Sequence, residues 1–239
     1  MRRTQRNHFS VYARWAIRAR LPLTQGPCII VSMEAAITGV TVFILAGGKS
    51  TRMGTDKAFL EFEGRTLLAR MLEVARSVTP EVRIVGGAAK FAAFAPVVED
   101  VFCGCGPLAG IHAALRASQA KLNVVLAVDV PFVSFALLQY LIARARTVGS
   151  AWATVPRAPG GWQPLCAVYR REFAEAAEGA LREGRYKIDA LFDVVPVQAI
   201  EEAELAEAGF SPRIFRNLNT PSDVQAATGL KTEKQELRS

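Results

Sequence analysis

The run Val40-Thr41-Val42-Phe43-Ile44-Leu45 is apolar at almost every position and shows no polar alternation. A strand with one wet face alternates, so this one is expected to be covered on both sides, in a sheet lying between two layers of helices. The residues that follow repeat the theme of short β-branched runs alternating with longer helical ones. Thr66–Val78 places Leu67, Leu68, Met71, Leu72 and Ala75 at helical spacing. Val82–Val85 reads as a strand, Pro96–Val98 as a short one and Leu108–Ser118 as a helix. Leu122–Val128 is a second buried strand, followed by a helix that Ser134 can cap and that runs through Ala145. Trp152–Val155 and Leu165–Tyr169 read as strands flanking the turn-rich Pro159-Gly160-Gly161. Glu172–Arg182 and Glu201–Ala208 are expected helices, Val194–Gln198 an extended segment, and Pro221–Ala227 a last helix with proline in its first turn. The pattern predicts a three-layer α/β fold of Rossmann-like type, with a mostly parallel central sheet and helices on both faces.

The 239 residues carry no internal repeat and no linker rich enough to divide them, which favours a single domain over residues 38–228. With 51% hydrophobic and 21% charged residues the chain can bury a substantial core, and disordered or collagen-like readings are excluded. The net charge of +7 points to nucleic acid until its location is considered. Arg2, Arg3, Arg6, Arg14, Arg18 and Arg20 lie in the first 32 residues beside no acid; without them, 23 basic residues face 22 acidic ones. A nucleic-acid-binding domain needs its basic residues clustered on a packed face, so nucleic acid is not an expected partner. Residues 1–37 read as a basic N-terminal extension. It is either an unstructured extension with Met33 as the effective start, or an amphipathic targeting or surface helix using Phe9, Tyr12 and Trp15. Residues 229–239 form a charged tail. No segment approaches the roughly 18 apolar residues of a membrane span, so no membrane partner is expected.

Cys28, Cys103, Cys105 and Cys166 are too few and too scattered for a disulfide scaffold, and a reducing cytoplasmic setting is expected. The Cys103-Gly104-Cys105 spacing does not fit a zinc site. Only His8 and His112 are present, and His112 sits in an apolar run, so a histidine-based nucleophilic catalyst is not expected.

The chemistry concentrates after the first strand, in Leu45-Ala46-Gly47-Gly48-Lys49-Ser50-Thr51-Arg52-Met53-Gly54-Thr55-Asp56-Lys57. A strand running into a glycine-rich loop brings backbone amides to the carboxyl edge of the sheet, where open α/β folds bind ligands. Consecutive amides can form an anion-binding nest, and Lys49, Arg52 and Lys57 outweigh Asp56 in charge. Phosphate is the obvious guest. Two familiar phosphate loops are excluded: the P-loop would need glycine where Phe43 stands, and G-x-G-x-x-G does not occur. Asp129 follows the second buried strand and brings a carboxylate to the same edge, in the manner of a magnesium ligand completed by waters and phosphates.

This string resembles the L-A-G-G-x-S-x-R-M-G-x-D-K signature of the molybdenum cofactor guanylyltransferases, within the wider nucleotidyltransferase superfamily. The resemblance spans roughly residues 38 to 228. It recurs in Val98-Glu99-Asp100, Gly106-Pro107-Leu108-Ala109-Gly110, Asp129-Val130-Pro131-Phe132 and Asn217-Leu218-Asn219-Thr220-Pro221-Ser222-Asp223. Gln163-Pro164-Leu165 stands where relatives carry a Pro-centred substrate segment. The resemblance implies transfer of GMP from GTP to the terminal phosphate of molybdopterin (or its molybdenum-loaded form), with release of pyrophosphate. It implies nucleotide contacts from Leu45, Ala46, Gly47, Gly48, Lys57, Asp100 and Asp129, Mg2+ on Asp129, and charge stabilisation by Arg52, Lys57 and Asp129. Gln163, Pro164, Asn217 and Asn219 are candidates for the pterin or for supporting contacts. Asn219 reads equally as a second metal or phosphate contact and as an Asx turn capping the last helix. Molybdoenzyme chaperones or other cofactor-biosynthesis proteins are candidate partners.

Relatives that use CTP tend to read L-A-A-G and lack G-P-L-A-G, so Leu45-Ala46-Gly47-Gly48 favours GTP. A cytidylyltransferase, another nucleotidyltransferase and a non-catalytic GTP-binding adaptor are the competing readings. The chain departs from the family after its second strand, where Gly86-Gly87-Ala88-Ala89 replaces an Asn-containing segment. There the loop can offer only backbone groups.

Overall fold

The buried strand Val40–Leu45 (β1) divides its side chains between two cores. Val42 and Ile44 enter one hydrophobic cluster, Phe43 and Leu45 the other, as a period-two strand between two helical layers must. The computed structural model describes residues 37–47, 56–220 and 222–228. Within these, Leu122–Ala127 (β6) lies parallel to β1 in the register Val40↔Leu122 to Leu45↔Ala127. It repeats the division, with Val124 and Leu126 on one side and Val125 on the other.

On the other side of β1 come Val82–Val85 (β4) and Val97–Val98 (β5), both parallel. Beyond β6 lies Cys166–Tyr169 (β9), which runs antiparallel to β6 and to Ala153–Ala158 (β7). Val197–Ile200 (β10) closes the sheet parallel to β7, giving the order β10-β7-β9-β6-β1-β4-β5. Gly161–Trp162 (β8) pairs back on β7 as a hairpin extension. The sheet is thus mostly parallel with one reversed strand inserted. A separate two-stranded hairpin, Glu61–Phe62 (β2) with Arg65–Thr66 (β3), turns through Glu63 and Gly64, both at positive φ.

Helix Leu67–Val78 (α1) begins where the Thr66 hydroxyl accepts from Ala69 N–H, and Phe135–Thr147 (α4) where Ser134 accepts from Leu137 N–H. Both present Leu-rich faces to the cluster that holds Ile44 and Val124. The opposite layer is Pro107–Ala117 (α3) against Phe173–Arg182 (α5), packed over Phe43, Val125 and Tyr169. Ala88–Phe91 (α2) and Glu202–Glu207 (α6) are short, and residues 222–228 are helical. Ile37 N–H donates to Val78 O at 3.1 Å, which ties the approach to β1 onto the end of α1. The expected elements agree with those found to within a few residues. The hairpin β2–β3 and strand β8 are additions, because two-residue strands around a turn carry no periodicity to read.

Two glycines sit at close approach to neighbouring side chains. A Cβ on Gly86 would meet the Phe91 ring at 2.9 Å, and one on Gly110 would lie 3.1 Å from Leu45 Cδ2. The first lets α2 fold over the end of β4; the second lets α3 lie directly on β1.

Candidate active site

Beyond the carboxyl ends of β1, β4 and β6 lies a cavity of about 580 Å³. Leu45, Ala46 and Gly47 line it from β1, Val85 from β4, and Ala127, Val128 and Asp129 from β6. Asp56 and Lys57 enter after the glycine-rich loop, Asp100, Gly104, Gly106, Pro107 and Gly110 from the loop into α3 and its first turns, and Leu165 and Asn217 from late in the chain. Parallel strands end here with their helices departing, which leaves the crevice such sheets use for ligands.

Local chemistry fixes each contributor. Ala46 and Gly47 N–H both donate to Val85 O, at 3.0 and 3.1 Å, so the start of the loop is stitched to β4. Asp56 caps the 3-10 turn Lys57–Phe59, accepting from Ala58 N–H at 2.9 Å, and its other oxygen is gripped by Lys90 of α2. That turn sends the Lys57 side chain across the cavity. Its Nζ lies 3.5 Å from Asp129 Oδ2 and donates closely to Asn219 Oδ1. Asp129 is held from behind, its backbone carbonyl accepting from Leu218 N–H at 2.8 Å. Asn219 is held in turn, because Asp223 Oδ2 accepts from both Asn219 and Thr220 N–H at 2.9 Å. The hydrogen bond with the Thr220 side chain, helped by those from the Asn219 and Thr220 amides, holds the Asp223 carboxyl below its ordinary range. Three distant segments therefore meet at one ammonium group.

Asp129 is only 15% exposed and Lys57 34%, so their attraction acts in a partly desolvated setting. On the opposite wall, burial pushes the Asp100 carboxyl above its ordinary value and the charge of His112 pulls it down. Asp100 Oδ1 is buried without a hydrogen-bond partner. The first turn of α3 opens on Gly106 at φ 75°, with Pro107 following, and both residues line the cavity.

Of the residues singled out by sequence, Leu45, Ala46, Gly47, Lys57, Asp100, Asp129 and Asn217 converge on this cavity, and Asn219 joins it through Lys57. Gly48 and Arg52 lie outside the described residues. Gln163 and Pro164 do not line the cavity: Gln163 Nε2 donates to Gly161 O, and Pro164 O accepts from the Tyr169 hydroxyl. Their neighbour Leu165 supplies the wall instead. The Asn219 side chain closes no Asx turn, and its Oδ1 is turned to the site lysine, accepting from Lys57 Nζ; the turn before the last helix is closed by Thr220 and Asp223. Sequence reasoning missed the Asp56–Lys90 clamp. Its one visible signal was the acid directly before Lys57.

The strand-edge cavity pairs Lys57 with Asp129 and is lined by Leu45, Ala46 and Gly47, which open the glycine-rich signature; its relatives place this arrangement among the nucleotidyltransferases. Residues 42–197 match the model of the MobA-like NTP transferase domain. A probable molybdenum cofactor guanylyltransferase of Pelotomaculum thermopropionicum is 37% identical over 80% of this chain and 91% of its own. The molybdenum cofactor guanylyltransferase of Desulfosudis oleivorans is 33% identical over 80% and 94%. Among solved structures, the molybdopterin-guanine dinucleotide biosynthesis protein A of Archaeoglobus fulgidus superposes with a TM-score of 0.71. It is 28% identical and covers 81% of this chain and 99% of its own. The chain belongs to the MobA-like NTP transferase family, in the branch of the molybdenum cofactor guanylyltransferases.

No helix among the described residues is long and apolar enough to cross a membrane.

Proposed function

We propose that this enzyme transfers GMP from GTP to the terminal phosphate of molybdopterin, forming the guanine dinucleotide and releasing pyrophosphate. The observation that carries the reading is the meeting of Lys57, Asp129 and Asn219 beside a cavity that Leu45, Ala46 and Gly47 line from the end of β1. Both reactants are polyanions. A site that grips a triphosphate needs cationic and amide donors on one side and a metal-holding carboxylate on the other.

The donor set fits magnesium. Asp129 offers a hard carboxylate oxygen, and a single carboxylate completed by waters and substrate phosphates is the usual way this ion is held. Mg2+ bound there supplies neutralisation of the phosphate charge. The protein's own residues do the rest. Lys57 is placed to move its hydrogen bonds from Asp129 and Asn219 onto a phosphate oxygen. The glycine-rich segment that follows Gly47 supplies backbone amides for the phosphate oxyanions. Arg52, within the glycine-rich loop, adds positive charge for the leaving pyrophosphate. Gly47 carries no Cβ, so the base can approach the backbone, and Asp100 accepts from a donor of the nucleoside. Asn217 and Leu165, which line the cavity, are the residues left to meet the pterin phosphate. No covalent enzyme intermediate is needed. The setting is a reducing cytoplasm, and molybdoenzyme chaperones are the natural recipients of the product.

The reading is tested by supplying GTP, CTP, ATP or UTP with Mg2+ and molybdopterin and measuring pyrophosphate release and nucleotide incorporation. GTP is expected to be used at least about a hundredfold better than CTP, as hydrogen-bonded base recognition permits. Preferred turnover of CTP makes the enzyme a cytidylyltransferase, and GTP binding without GMP incorporation makes it an adaptor.

A further inference from the structure

Asp56 is a carboxylate in the wall of the cavity, and it stands one residue before Lys57. Unpaired, it would repel an incoming phosphate and offer the Lys57 ammonium a second carboxylate beside Asp129. Both of its oxygens are occupied. Oδ1 accepts from Ala58 N–H at 2.9 Å and caps the turn that carries Lys57, while Oδ2 is ion-paired with Lys90 Nζ of α2. Lys90 is itself placed, since its ammonium lies over the Phe91 ring, 5.6 Å from the centroid.

Helix α2 is fixed against the same turn by independent contacts. Phe59, the last residue of the turn, stacks on Phe91 with centroids 6.0 Å apart and meets Phe94 at 5.9 Å. Where α2 begins, Glu99 Oε1 accepts from Ala88 N–H at 2.9 Å, and Gly86 N–H donates to Val98 O at 3.0 Å. The segment Gly86-Gly87-Ala88-Ala89, in which the chain departs from the family signature, thus delivers Lys90 to Asp56. The turn rests its aromatic residue on α2 and sends its one cation the other way, to Asp129 and Asn219. An ion pair whose lysine is 47% exposed adds little to stability, so the consequence of this pair falls on the site rather than on the fold.

We propose that Lys90 is a positioning residue for Lys57: by holding Asp56 Oδ2 it keeps that carboxylate in its capping turn and out of competition for the Lys57 ammonium, which then faces Asp129 and the triphosphate. This rests on the reading of Lys57 as a phosphate contact.

Lys90→Met keeps much of the side-chain stem and removes its charge. KM for GTP should rise roughly tenfold with kcat within about twofold, because the grip that is lost is already made in the bound ground state. The melting curve should move little, and Lys90→Arg should recover most of the loss. Two combinations separate positioning from packing. Adding Asp56→Asn to Lys90→Met should lower KM again, since the amide still caps the turn but leaves no free charge to draw Lys57. In a Lys57→Ala background, Lys90→Met should change kcat/KM less than about twofold. Without any nucleotide, a crystal structure of the Lys90→Met protein should show the Lys57 ammonium withdrawn from Asp129 and Asn219 toward Asp56. An unchanged KM in folded Lys90→Met, a double variant no better than the single one, or an unmoved Lys57 in the Lys90→Met crystal overturns the proposal. If the wild type binds no GTP, the nucleotide reading fails instead, and the crystal structure still decides whether Lys90 sets the place of Lys57.

Discussion

Lys57 is the residue on which the site turns, because its ammonium is shared between Asp129 and Asn219 before any substrate arrives. Such an arrangement keeps a long, flexible side chain in place and removes the entropic cost of ordering it when phosphate binds. Asn219 therefore acts through Lys57. Asn219→Ala should lower kcat/KM for GTP about tenfold, the loss expected for one hydrogen bond to a charged group, while the thermal melt moves little. Steady-state kinetics beside a melting curve checks this; full activity would remove Asn219 from the site. The glycine signature and Asp129 were legible in sequence because each has a chemistry tied to its residue type. The Lys57–Asn219 contact spans 162 residues and has no local signature. Gln163 and Pro164 match a family segment, yet here Gln163 Nε2 donates to Gly161 O of β8 and Pro164 O accepts from the Tyr169 hydroxyl of β9.

At the level of elements, helix α3 is the piece whose placement decides the cavity wall. It rests on β1 through Gly110, with no room for a side chain between the helix and Leu45. Gly110→Leu should force the helix outward, costing about 1–3 kcal/mol by overpacking and widening the wall made by Gly106, Pro107 and Gly110. A fall in melting temperature of roughly 2–9 °C together with a raised KM for GTP is the expected outcome, read by calorimetry and kinetics. An unchanged KM would show that the α3 wall does not touch the nucleotide. The strands β1 and β6 were readable as elements because they are buried on both faces and so apolar throughout. Helices α1 and α4 were readable because caps and apolar spacing agree. Strand β9 was readable as a strand, but not as the reversed member of the sheet, since direction depends on where the preceding hairpin returns the chain.

For the molecule as a whole, the sheet order places the ends of β1, β4 and β6 side by side and lays the late segment 217–219 across them. Stretches far apart in sequence thus supply one cavity, with Asp56, Lys57, Asp100 and Asp129 as its charged lining. The central claim, that these stretches grip one triphosphate through Lys57 and a metal on Asp129, is tested most directly by a crystal structure with Mg2+ and a non-hydrolysable GTP analogue. The account predicts a cation ligated by the Asp129 carboxylate, Lys57 Nζ on a phosphate oxygen, and guanosine against Gly47 and Asp100. Phosphates bound away from the β1 loop, or a cation that Asp129 does not touch, would contradict it.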